Sequence, residues 1–306
     1  PPTAPLTNVT NTKLLCCQEP TEAPFGFTTA TATGALPILN TNDTGITTTS
    51  GTRSDANSSS LVLALPFLNN ANDLSADIKG SGSNKTMTVN GDAAATSSTY
   101  QYYGGSFTLD GNGDYISTPY HADFSFGSGD FTVEMWVKTT TSGGYGTGVG
   151  RWTSESSTGI FDLRPASADY GNRFVFITRD DSHNSKFVDS GVLVNDGVWH
   201  HLAAARDGST IRLFVDGLLV TSEGSYGHTV NTNTSTGLRV GYGDNTNYLD
   251  AEVQDVRIYK GLAKYTSSFT PVGTYTRNQS AVSPGTIDAN GDAAATNFNP
   301  FNTDIN

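Results

Sequence analysis

Cysteine is nearly missing from this chain of 306 residues, and the two present, Cys16 and Cys17, are neighbours. Adjacent cysteines bond to each other only through a strained ring, because ordinary disulfide geometry needs separated Cα atoms. No disulfide framework and no Cys/His metal spacing follows, so the pair reads as small apolar residues or as a bond between chains. Positive charge is also scarce: 17 Lys and Arg stand against 29 Asp and Glu, a formal net charge of −12. A nucleic-acid backbone calls for clustered Lys and Arg, and an anionic bilayer repels such a chain, so the sequence argues against both partners. No apolar run approaches the ~20 residues of a membrane-spanning helix. The opening PPTAPLTNVTNTK lacks the basic and apolar regions of a secretory leader. A long helical period is missing as well, which leaves an all-β architecture.

What is abundant suits that architecture: Thr, Ser, Asn and 33 Gly for turns, with aromatics at 10% to fill a core. The clearest stretch is Asn195–Gly217, NDGVWHHLAAARDGSTIRLFVDG. Val198, His200, Leu202 and Ala204 alternate with Trp199, His201, Ala203 and Ala205, and Ile211, Leu213 and Val215 resume the alternation after Asp207-Gly208. Period two broken by Asp-Gly pairs is an antiparallel hairpin signal, with the Asp-Gly residues expected at positive φ. Strands are expected near 85–90, 106–109, 114–118, 130–138, 158–164, 172–178, 185–194, 198–206, 210–221, 236–242 and 247–258, with one helical turn at 261–265. Leu61–Leu68 opens the series, and Pro66 ends it early or keeps it at an edge.

The chain divides into three parts: a Thr/Ser/Pro-rich lead or linker at 1–60, the β domain at 61–272, and a C-terminal linker or start of a further module at 273–306. The heptamer NGDAAAT occurs twice, at Asn90–Thr96 and Asn290–Thr296, as a marker of modular repetition. Both ends look like pieces of repeat arrays, so the chain reads as an excerpt of a longer polypeptide.

Three segments, GSFTLDGNGDYISTPYHADFSFGSGDFTVEMWVK at 105–138, the 195–217 hairpin, and GLRVGYGDNTNYLDAEVQDVRIY at 237–259, resemble laminin G-like modules of the concanavalin A-like lectin and glucanase superfamily. The resemblance implies a two-sheet antiparallel jelly-roll sandwich, with Trp136 and Trp199 packed in its core. It does not imply catalysis. The glucanases carry ExDxxE or ExDxE on one strand face, with a retaining pair ~5–5.5 Å apart. Here Glu134 is followed by Met-Trp-Val, and Glu252–Asp255 has the wrong spacing, so the chain is expected not to be an enzyme. His200 and His201 point to opposite faces of a strand and cannot share a metal.

Calcium, a hard cation that prefers oxygen ligands, is the inorganic partner that suits this composition. The superfamily resemblance implies structural calcium at Asp255, in the closing QDVRIY strand. The turn Asp110-Gly-Asn-Gly-Asp114 offers Asp110 and Asp114; the laminin-type position before Phe161-Asp162-Leu163 is Ile160, which has no oxygen to give. The alternative for all three aspartates is turn formation through local backbone bonds. For glycans, Trp152 beside Arg151, after the Gly-rich loop 142–150, forms the expected recognition pair. Tyr145, Tyr170, Tyr242 and Tyr248 lie near expected loops and complete the candidate set.

The wording VTNTKLLCCQ, VNGDAAATSSTYQYYGGSFTLDG, DVRIYKGLAKYTSSFTP and AVSPGTIDANGDAAATNFNPF is similar to that of virion structural proteins of marine bacteriophages, cyanophages in particular. That resemblance implies a virion appendage or fibre component at the particle surface. Two functions follow: an adhesin that binds host-surface polysaccharide, or a building block that decorates or self-assembles with other virion proteins, as a homo-oligomer or in tandem modules.

Overall fold

The computed structural model describes residues 55–101, 104–144, 146–152, 159–227, 229–243 and 247–272. Cys16, Cys17, Tyr145, the second heptamer and all but the last residues of the lead lie outside the described residues. Fifteen strands are described. In chain order these begin with β1 (Leu61–Leu65), β2 (Thr88–Asn90), β3 (Ala94–Thr96), β4 (Ser106–Asp110) and β5 (Tyr115–Thr118). The middle of the chain forms β6 (Phe131–Thr139), β7 (Val149–Arg151), β8 (Phe161–Ser167), β9 (Arg173–Arg179) and β10 (Ser185–Leu193). The remainder are β11 (Trp199–Asp207), β12 (Thr210–Val215), β13 (Leu218–Glu223), β14 (Leu238–Val240) and β15 (Asp250–Lys260). One short helix, α1 (Ser75–Lys79), lies between β1 and β2.

The strands form two antiparallel sheets. One has eight strands in the order β13-β12-β11-β6-β15-β4-β3, with β1 also paired to β15; the other has seven, β10-β9-β8-β7-β14-β5-β2. This is the jelly-roll sandwich. Its core is built by alternation: Phe131, Val133, Met135 and Val137 of β6 meet Phe161, Leu163, Phe174 and Phe176 of β8 and β9, all fully buried. The intervening residues therefore face outward from each sheet.

Turn chemistry is as local as the Asp-Gly pairs suggest, with one change. Asp207 pairs with Thr210 as the last strand residue, so Gly208-Ser209 is the two-residue turn and only Gly208 has a positive φ, +58°. At the next hairpin Asp216 (+51°) and Gly217 (+77°) are both left-handed, as the twist of a tight hairpin demands. The expected strand at 210–221 is thus two strands, β12 and β13. No helical turn forms at 261–265, and α1, β3 and β7 were not foreseen.

Trp136 is buried, but on the outer face of the eight-stranded sheet, where its Nε1–H donates to Val272 O at 3.0 Å. Segment 261–272 lies over that face: Tyr265 stacks on Phe269 at 3.5 Å, and both pack against Phe214. Trp199 is only half-buried and does not belong to the core, against expectation.

Candidate functional site

The expected recognition pair is not at the surface. Arg151 and Trp152 are both fully buried. Arg151 closes one end of the sandwich by donating to Thr236 O, Phe124 O and Asn233 O at 2.6–3.0 Å, and burial brings its guanidinium down to about 10. Trp152 lies on the outer face of the seven-stranded sheet against Val175 and Ile177. The Arg179 guanidinium sits 4.6 Å from its ring centroid, and a Cβ on Gly159 would stand 2.7 Å from its ring carbon Cε3. The glycine there makes room for the indole and not for a ligand. Tyr170 is half-buried beside this cluster and stacks on Phe187 at 5.7 Å. Tyr145 lies outside the described residues.

Asp255 is also corrected. It is buried, holds the rare φ of +47°, and interrupts the register of β15 between Gln254 and Arg257. At this bulge β15 changes its edge partner from β4 to β1. Its carboxylate accepts from Arg257 Nε at 2.8 Å, while Arg257 Nη1 binds Asp55 at 2.8 Å. Burial alone would raise the Asp55 carboxyl, but Arg257, Lys264 and the Tyr259 hydroxyl outweigh it and hold it below the usual range. A guanidinium already fills the place where a metal ion would neutralise Asp255, so the residue does not fit a calcium site.

The other candidates come together at one end of the sandwich. Tyr242 and Tyr248 form an isolated antiparallel bridge, and their rings stack at 4.5 Å with an interplanar angle of 15°. Tyr115, first residue of β5, stands 5.1 Å from Tyr242 and 6.3 Å from Tyr248. Arg239 of β14 places its guanidinium 4.8 Å from the Tyr242 centroid, and all four side chains are half-exposed. Ile116 and Val240 point into the core, so Tyr115 and Arg239 must face out from the seven-stranded sheet.

Next to this ring cluster, carboxylate oxygens of Asp92, Asp110 and Asp114 lie within 4.8 Å of one another. Asp114 is buried and staples two turns together: Oδ1 accepts from Asp92 N at 2.8 Å and Oδ2 from Asp110 N at 3.1 Å. Gly91, at φ +73°, permits the approach, since a Cβ there would stand 2.2 Å from Asp114 Oδ1. No ion pair among the described residues engages any of the three. This all-oxygen donor set fits a hard cation. Tyr115, Arg239 and Asp92 were missed in the sequence. Period two around Ile116 marked Tyr115 as outward-facing, and the first heptamer contains Asp92.

Two buried carboxylates of the outer faces are engaged by cations. Glu134 binds Lys264 Nζ at 2.7 Å, and Asp162 accepts from Arg164 at 2.7 Å and Thr147 at 2.9 Å. All of these except the half-exposed Lys264 are buried.

Residues 110–263, half of the chain, match the concanavalin A-like lectin/glucanases superfamily, and the chain belongs to that family. None of the curated proteins compared matches it. Among solved structures, the binding domain of Paraclostridial Mosquitocidal Protein 1 is similar at 14% identity and a TM-score of 0.51, over 67% of this chain and 50% of that one. Domain 4 of AbnA, an extracellular arabinanase from Geobacillus stearothermophilus solved with arabinotriose, has 19% identity and a TM-score of 0.49, over 66% and 92%. The receptor binding domain of botulinum neurotoxin C/D mosaic serotype has 18% identity and a TM-score of 0.46, over 67% and 49%. The chain thus spans about half the length of the first of these, and such likenesses describe the fold.

Proposed function

We propose that this chain is a non-catalytic glycan-binding module that meets cell-surface polysaccharide through Tyr115, Tyr242, Tyr248 and Arg239. The observation that carries this reading is the half-exposed tyrosine stack with its cation at one end of the sandwich. Tyr rings offer an apolar face for sugar C–H groups and a hydroxyl for a hydrogen bond, at little conformational cost. Asp92, Asp110 and Asp114 would hold calcium, which would lock the 91–93 and 110–114 turns beside the rings. The setting we propose is a phage virion appendage, where weak single contacts gain strength by repetition.

The test is retention on host-surface polysaccharide, in single and multivalent formats, for the native chain and a Tyr242→Ala/Tyr248→Ala double variant. Loss of retention in the variant supports the reading, and equal retention removes these rings from it. A structural building block is the second reading, favoured by exposed Leu193 and Leu218 on the neighbouring strands β10 and β13. Solution mass and a failure to bind glycan in every format would establish it.

A further inference from the structure

The outer face of the eight-stranded sheet carries a feature that neither the superfamily nor the tyrosine stack explains. A groove of about 620 Å³ opens there between Trp199 of β11, Lys138 of β6 and the connection Ser98–Gln101. Trp199 and Lys138 are register partners and so share one face. Tyr100, 45% exposed, forms the opposite wall. We infer that this groove is a second saccharide site, on the sheet opposite the tyrosine stack, with Trp199 and Tyr100 as its apolar platforms and Lys138 as its cation.

The inference rests on the glycan-binding reading and deepens it. Three observations carry it. The first is that the indole keeps open surface: Trp199 is only half-buried, and Val198 beside it is 52% exposed. The second is that the opposite wall is fixed before any ligand arrives. Thr99 Oγ1 donates to Glu252 at 3.2 Å, Gln101 N to Gln254 at 3.1 Å, and Ser106 Oγ to Thr99 O at 2.6 Å. A wall ordered in advance lowers the entropy lost on binding. The third is chemical. Ser98, Thr99 and Gln101 bring hydroxyl and amide groups to the rim, Lys138 is held only loosely at 3.5 Å from Glu252, and Gly197 contributes backbone without a side chain. Aromatic faces ringed by short hydrogen-bonding groups suit a small amphipathic ligand such as a sugar chain. The volume falls within the ~300–1,000 Å³ of small-ligand sites.

The chain contains its own reporter. Of its three tryptophans, Trp136 and Trp152 are buried and only Trp199 has open surface. Iodide quenching of the full chain therefore reads Trp199, and a saccharide seated in the groove must protect it. The experiment titrates defined neutral and uronic-acid oligosaccharides of two to four sugars into native protein, Tyr100→Ala and Tyr242→Ala. At least one sugar is expected to protect the fluorescence, with affinity falling about tenfold in Tyr100→Ala and unchanged in Tyr242→Ala. Trp199→Phe identifies the quenched ring. If no sugar protects Trp199 while the native chain still holds polysaccharide, the groove is not a site and the tyrosine stack stands alone. Equal affinity of native and Tyr100→Ala chains likewise overturns the groove. If the native chain neither holds polysaccharide nor shows protection, both readings fall together.

Discussion

Two cation–aromatic clusters occupy the outer face of the same sheet. Arg179 lies 4.6 Å from the centroid of Trp152, and Arg239 lies 4.8 Å from that of Tyr242. The first is sealed, with Trp152 wholly out of solvent, while the second is half-open. An aromatic beside a cation is thus not a recognition signal until its burial is known. Neighbouring small residues carry part of the answer. Gly159 lets the indole lie flat against the backbone, so a glycine near a tryptophan here marks packing. At the open cluster the rings cover one another, and their remaining edges stay in water.

The largest effect expected from this contrast is on stability. Trp152→Ala should cost about 3–5 kcal/mol, as for a large buried aromatic, against a loss within about 1 kcal/mol for Tyr242→Ala. Denaturant unfolding measures both, and equal losses would break the contrast. The same opposition recurs in adjacent histidines. Burial pushes His201 down to about 4, against the pull of Glu134, whereas Asp216 raises His200. From the ordinary value of 6.5 down to about 4 the unfolded chain takes up a proton that folded His201 refuses. Stability from this residue is therefore full above pH 6.5 and falls as the medium is acidified toward pH 4, by about 3 kcal/mol. His200 has the opposite sign: its contribution is present below its unfolded value and is lost as pH rises through its folded one. His201→Gln should flatten the acid limb in a series of melts between pH 7 and 4.

Among the aspartates the contrast separates Asp255, already paired, from Asp92, Asp110 and Asp114. Calcium at a hundredfold excess over its Kd should stabilise the native state by about 2–3 kcal/mol, a rise of a few degrees in Tm. Asp114→Asn should abolish that calcium response, whereas Asp255→Asn should lower stability and leave the response in place. A calcium-independent Tm in the native chain would sink the site. The smallest effect is at the open cluster itself. Tyr248→Ala should barely move the melt, yet weaken multivalent polysaccharide retention several-fold.

The fold was legible because alternation is a direct projection of sheet geometry. Val133 and Glu134 already fall on opposite faces of one strand, although the pattern does not say which face is core. That pattern and the Asp-Gly turns gave antiparallel strands, while the two-sheet sandwich came from the laminin G-like resemblance. The short strands β3 and β7 were not foreseen. The site was harder for a different reason. A strand pattern tells which side a residue takes, but not whether another layer covers that side. Arg151, Trp152 and Asp255 were placed in the right segments and given the wrong surroundings. Asp110, Asp114, Tyr242 and Tyr248 were named separately, and only the pairing of β5 with β2 and β14 brings their loops together.

The pairing of β1 with β15 has a mechanical consequence. Leu61, where the chain enters the sheet, stands opposite Tyr259, where it is about to leave. Tension between the two flanks would act across the ladder and open it one rung at a time, starting at that end. Asp55 stands there as a clasp, gripping Arg257 and the Tyr259 hydroxyl at 2.8 and 2.5 Å. Segment 261–272 would peel first, then the clasp, then the zipper of β1. Pulled at those two points, the domain would yield by unzipping from the end where both flanks attach, leaving the rest of the sandwich until last.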